Sequence, residues 1–116
     1  MVVDDDPAIC RVFQRYIARK GGRTLIASNG EQALEIIKTA PIHLILLDAY
    51  MPQMNGMEFL KRLEKPIAVP VIMITAADDL AVVKEALALG VRDFIKKPID
   101  LEYLDQSESW KSWFKD

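Results

Sequence analysis

Residues 44–47 (LILL) and 71–74 (VIMI) are apolar at every position and are too short to make a helix. An apolar run without polar alternation reads as a strand covered on both faces. Such strands belong to parallel sheets with helices packed above and below. The segments between them carry helical spacing. Residues 7–20 place Ile9, Val12, Phe13, Tyr16 and Ile17 on one helical face, and Gly21 and Gly22 stop the pattern. Asn29 caps a second helix carrying Ala33, Leu34 and Ile37. Residues 56–65 predict a third, with Met57, Leu60 and Leu63 on one side. Residues 79–89 predict a fourth, with Leu80, Val83 and Leu87 in phase and Gly90 closing it. A final helix starts at Asp100. Strands are expected at 1–3, 24–27, 42–47, 70–74 and around Phe94 and Ile95. Strands alternating with helices in this way predict βαβ units wound right-handedly into one parallel sheet. The chain's 116 residues suffice for one core and not for two.

In such a sheet the functional crevice lies beyond the carboxyl ends of the strands, where the winding direction reverses. The polar residues at those ends are Asp4 and Asp5, Asp48, Thr75 and Lys97. Each has an ordinary explanation. Asp6 before Pro7 fits an N-cap acid followed by proline at the first helical position, but one helix needs one cap, which leaves Asp4 and Asp5 unexplained. Asp48, followed by a loop with Pro52, Asn55 and Gly56, reads as a turn residue if taken alone. Its position at the lip of an apolar strand is nevertheless unfavourable for a carboxylate. If the sheet brings Asp48 beside Asp4 and Asp5, three carboxylates share one crevice and call for a hard divalent cation. Magnesium suits oxygen ligands and accepts phosphate oxygens. Thr75 as a strand-end hydroxyl and Lys97 as a solvated charge are both ordinary, and together they also make a phosphate-binding pair. The Lys97–Pro98 bond is a candidate for the cis isomer.

VVDDDP, LLDAYMPQMNGMEFL, VIMITA and ALALGVRDFIKKP, in this order and spacing, resemble the receiver domain of two-component response regulators over about residues 1–104. The resemblance implies a flavodoxin-like doubly wound (βα)5 fold with a five-stranded parallel sheet in the order 2-1-3-4-5. It implies a CheY-like single receiver domain over residues 1–116, with 105–116 an atypical C-terminal helix or tail. It makes Asp48 the phosphoacceptor, with Mg2+ held by Asp4, Asp5, Asp48 and the Tyr50 backbone carbonyl. Thr75 matches the switch hydroxyl, Lys97 the phosphate-contacting lysine and Phe94 the aromatic switch position, although Phe94 also reads as plain core. The implied partners are a sensor histidine kinase or phosphotransfer protein and a downstream output protein or domain, with a homodimer as a further option. Tyr50 and Ala77 stand where the lifetime of an acyl phosphate is tuned. A bulky group at the first and no acid or amide at the second predict slow self-hydrolysis.

The net charge of −2 gives no basic footprint for nucleic acid, and Cys10, the single cysteine, allows no internal disulfide. No apolar run approaches the roughly 18 residues of a membrane span, and the acidic start does not read as a signal peptide. A cytoplasmic location is expected. Met51, Met54 and Met57 read as adaptable packing, His43 as a surface or edge residue and Cys10 as an ordinary helix residue. The short first strand leaves room for residues before Met1. Asp105, Glu108, Lys111 and Ser112 break the expected apolar stripe of the last helix, and Trp110, Trp113 and Phe114 fall out of phase with Leu101 and Leu104. Either the helix bends and folds these aromatics back on the domain, or they form a docking surface.

Three rival readings fit less well, and the complete acid pair, Thr75 and Lys97 argue against the first. A receiver-like interaction module would never be phosphorylated. A phosphatase with an aspartate nucleophile usually carries a second acid two residues on, where this chain has Tyr50. A flavin-binding protein of similar topology needs a phosphate loop after the first strand, where DDDPAIC is repulsive. No turnover of an outside substrate is expected.

Overall fold

A computed structural model describes residues 1–76 and 80–114. The elements run β1 (Val2–Val3), α1 (Pro7–Arg19), β2 (Ile26–Ala27), α2 (Gly30–Thr39), β3 (Ile45–Asp48), α3 (Gly56–Arg62), β4 (Val71–Thr75), α4 (Leu80–Ala88), β5 (Asp93–Lys96), α5 (Leu101–Gln106) and α6 (Glu108–Ser112). The five strands form one sheet in the order β2-β1-β3-β4-β5, and every pairing is parallel.

Alternation along the strands divides the core into two layers. Val3, Ile45, Leu47, Val71 and Met73 face one layer with Ala33, Phe59, Leu60 and Ala86 from α2, α3 and α4. Val2, Leu46, Ile72, Ile74 and Ile95 face the other with Cys10, Phe13, Tyr16, Leu104 and Trp110 from α1, α5 and α6. Both faces of β3 and β4 are therefore covered, as uninterrupted apolar runs require. Among the described residues no helix is long and apolar enough to cross a membrane.

Four details differ from the sequence reading. β2 and β3 start later than expected, at Ile26 and Ile45, because Thr24 and Ile42 lie before the paired register. α3 ends at Arg62 rather than Lys65. Lys65 precedes Pro66, which disfavours helical backbone at that residue, and its ammonium instead donates to the Leu60 and Leu63 carbonyl oxygens. α4 turns a different face inward. Leu80 and Leu87 are exposed, while Ala86 is buried and Val82 and Leu89 pack beside it. Apart from Lys84 and Glu85 the helix is apolar (LAVVKEALA), so several apolar stripes fit its sequence and the period did not fix its phase.

The last helix bends. Ser107 ends α5 and its hydroxyl caps α6 through the Trp110 N–H. Trp110 is buried at 2% exposure, with ring centroids 5.4 Å from Tyr16 and 4.7 Å from Phe114. The aromatics therefore fold back onto α1, and Trp110 presents no exposed docking surface.

Candidate functional site

The order β2-β1-β3 makes the winding reverse between β1 and β3. Register then decides what meets there. Val2 and Val3 pair with Leu46 and Leu47, so the next residues, Asp4 and Asp48, emerge side by side at the carboxyl edge. One carboxylate oxygen each from Asp4, Asp5 and Asp48 lie within 4.8 Å of one another. Asp4 and Asp48 are buried at 1% and 2% exposure, whereas Asp5 is exposed. Asp6 turns away to cap α1, accepting the Ala8 N–H at 2.9 Å, with Pro7 opening the helix.

Lys97 enters from the end of β5. Its Nζ lies 3.2 Å from Asp48 Oδ2 and 3.5 Å from Asp4 Oδ2. Lys97 N–H donates to the Thr75 carbonyl oxygen at 2.8 Å, which ties the β4 and β5 ends together and aims the lysine at the acids. The Lys97–Pro98 peptide is cis. Burial alone lowers the Lys97 ammonium, but the charges of Asp48 and then Asp4 outweigh it, so its pKa rises above the ordinary value. Asp4 moves up to about 6, chiefly through burial, while the Asp6 N–H on its Oδ1 and the Lys97 charge oppose the rise and Asp48 adds to it.

The acids fit a cation. Asp4 Oδ2 is buried and accepts no hydrogen bond, having only the ammonium at 3.5 Å. A buried, underpartnered carboxylate oxygen is the group a hard divalent ion satisfies. Lys97 pairs with Asp4 and Asp48, so among the described residues the three gathered carboxylates outnumber the ammonium beside them.

The loop after Asp48 is shaped around the carboxylate. Tyr50 N–H donates to Asp48 Oδ1 at 3.2 Å, while the Tyr50 side chain stands half exposed. A β-carbon at Gly56 would collide with the Asp48 carbonyl oxygen, so α3 can begin this close to β3 only with glycine. Asn55 and Glu58 then cap α3 reciprocally. Thr75 is buried at the end of β4, and Phe94, half-buried on β5, lines the same cavity of about 860 Å³ together with Leu80, Tyr103 and Trp110. Ala77 lies outside the described residues. Cys10 is buried with its thiol donating to the Asp4 carbonyl oxygen at 3.4 Å, and burial, followed by the Asp4 charge, pushes it up to about 11. His43 is exposed before β3, and Met54 is buried with Met51 and Met57 packed around the same core. Sequence reasoning missed Gln53, whose backbone is left-handed with φ 62°. No residue type in that loop signals it.

A family model described as the response regulator receiver domain matches residues 1–107. The chain is 42% identical over 105 residues to the transcriptional regulatory protein MalR of Bacillus subtilis, covering 88% of this chain and 45% of that protein. It is 35% identical over 104 residues to the heme response regulator HssR of Staphylococcus saprophyticus, covering 90% and 46%. The chain thus spans about half the length of these curated relatives. Among solved structures it matches the receiver domain of Francisella response regulator 1452 with a TM-score of 0.82 at 31% identity, covering 97% of this chain and 93% of that one. A CheY-like receiver domain protein from Methanospirillum hungatei matches with a TM-score of 0.82 at 27% identity, covering 97% and 92%.

Proposed function

The chain belongs to the response regulator receiver domain family, and from that premise we propose that it accepts a phosphoryl group on Asp48 and signals by changing shape. Receiver domains are signalling modules rather than enzymes that turn over an outside substrate. The observation that carries the reading is Lys97 Nζ at 3.2 Å from an Asp48 oxygen, inside a crevice that also gathers Asp4 and Asp5.

One Asp48 oxygen attacks phosphorus, and the bond from phosphorus to the donor's nitrogen or oxygen breaks as the Asp48 O–P bond forms. Asp4, Asp5, Asp48 and the Tyr50 carbonyl would hold Mg2+, which would supply charge neutralisation for the two anions that must meet. The protein's own task is positioning and electrostatics. Lys97, already held against Asp48, pairs with a phosphoryl oxygen as the carboxylate becomes an acyl phosphate, a mixed anhydride. Thr75 donates its hydroxyl to another. Its shift frees space in the cavity it shares with Phe94, the ring turns inward, and the surface around α4 and β5 changes.

The phosphodonor is a sensor histidine kinase or phosphotransfer protein, with small acyl phosphates as substitutes. The output is a partner protein or domain, a reading supported by relatives of about twice this length that include a transcriptional regulatory protein. The bulk of Tyr50 and the lack of an acid or amide at Ala77 support a long lifetime for the acyl phosphate. Incubation with acetyl phosphate and Mg2+ is expected to add one phosphoryl group to the intact mass. Asp48→Ala is expected to add none, and Tyr50→Asn to lose the group faster. No added mass on the wild-type chain would leave the interaction-module reading in its place.

A further inference from the structure

Gln53, in the middle of the loop that follows Asp48, has φ 62°. A β-carbon there crowds the following carbonyl, and glycine or asparagine enters this region more readily than glutamine. Opposite Gln53 stands Asn29, 24 residues earlier, at the start of α2. Asn29 is 8% exposed, which is unusual for an amide side chain unless it is fully bonded. Its Oδ1 accepts the Gln32 N–H at 3.0 Å as the helix cap, and that bond decides which way the amide faces. Nδ2 is left as the free end, and it donates to Gln53 Oε1 at 2.9 Å. At the next residue, Gly30 N–H donates to the Met54 carbonyl oxygen at 2.9 Å. A β-carbon at Gly30 would lie 2.7 Å from Met54 Cγ, so the two segments meet as closely as glycine permits. The turn between β2 and α2 therefore grips the loop by a side chain at Gln53 and by main chain at Met54.

The same loop is tied at its start by Tyr50 N–H on Asp48 Oδ1 and across its base by Gly56 N–H on the Ala49 carbonyl oxygen. The grip from Asn29 and Gly30 sets its far side. The geometry points to Asn29 and Gln53 as a positioning pair that clamps residues 49–55 and so fixes where the Tyr50 carbonyl oxygen stands relative to Asp4, Asp5 and Asp48. This rests on the proposed reading of those residues as the metal and phosphoryl site. Neither Asn29 nor Gln53 touches the reacting atoms, and both act through the loop. A short cap at one helix thereby controls the cation site at another strand's end.

Two variants separate the clamp from general stability. Asn29→Ser keeps an oxygen for the α2 cap and removes the amide donor. Gln53→Gly removes the acceptor and relieves the left-handed backbone. In each, the Mg2+ concentration for half-maximal phosphorylation by acetyl phosphate is expected to rise about tenfold, with the rate at saturating Mg2+ nearly unchanged. The double variant is expected to be no worse than either single, because both remove one interaction. In the metal-free chain, amide hydrogen exchange across residues 50–54 is expected to quicken about tenfold in both variants while α2 keeps its wild-type protection. Unchanged exchange overturns the clamp. Faster exchange with an unchanged Mg2+ requirement overturns its positioning role, as do fully additive losses in the double variant. If the wild-type chain takes no phosphoryl group, the exchange measurement still decides the clamp, and the phosphoacceptor reading fails separately.

Discussion

Asp4 is a carboxylate whose acidity the fold changes. Burial comes first, and the neighbouring Asp48 charge adds to it, so the group moves from 3.8 to about 6. A carboxyl whose folded value lies above its unfolded value stabilises the fold fully below the unfolded value, and that contribution is lost as pH rises through the folded one. The metal-free protein is therefore expected to lose thermal stability relative to Asp4→Asn between about pH 4 and 6, as read from paired melting curves. The opposite trend would mean that Lys97 outweighs burial. The four charges of this pocket were legible in the sequence because each follows a strand, and the apolar runs mark where the strands end. Gln53 was not legible, because glutamine does not signal a left-handed backbone and the side chain it bonds, Asn29, lies 24 residues away.

Elements were legible where only one periodicity was possible. β3 and β4 had nothing but apolar residues before Asp48 and Thr75, and α1 showed its buried stripe of Phe13, Tyr16 and Ile17 directly. α4 was placed but rotated, since several apolar stripes compete on it and packing against the core selected Val82 and Ala86, with Leu89 just beyond its end. The exposed phase makes a clear demand. Leu87→Ser is expected to change stability by less than about 0.5 kcal/mol, whereas Ala86→Leu overpacks the core and costs about 1–3 kcal/mol in urea denaturation. Equal effects would restore the phase read from Leu80, Val83 and Leu87. α6 is too short to hold itself as an isolated helix, so tertiary packing must hold it. Trp110 supplies that packing against Phe13, Tyr16 and Phe114. Trp110→Ala is expected to cost about 3–5 kcal/mol, a large fraction of a typical domain's total.

At the scale of the molecule, the Cα radius of gyration is 13.1 Å, the size of a chain packed around a single sheet. A unit of this kind unfolds in one cooperative step, so a ligand at the strand ends stabilises every part of it. Mg2+ at a hundredfold excess over its dissociation constant is expected to add about 2.7 kcal/mol to unfolding, seen as a rising midpoint that Asp48→Asn abolishes. A midpoint indifferent to Mg2+ in the wild type would count against the cation site. The C-terminal turn carries a practical corollary. Trp110 and Trp113 are the chain's two tryptophans, and both belong to the aromatic cap over α1. The domain's indole emission thus comes wholly from that cap, which makes ultraviolet fluorescence a built-in gauge of whether the tail stays docked while chemistry proceeds at the acids.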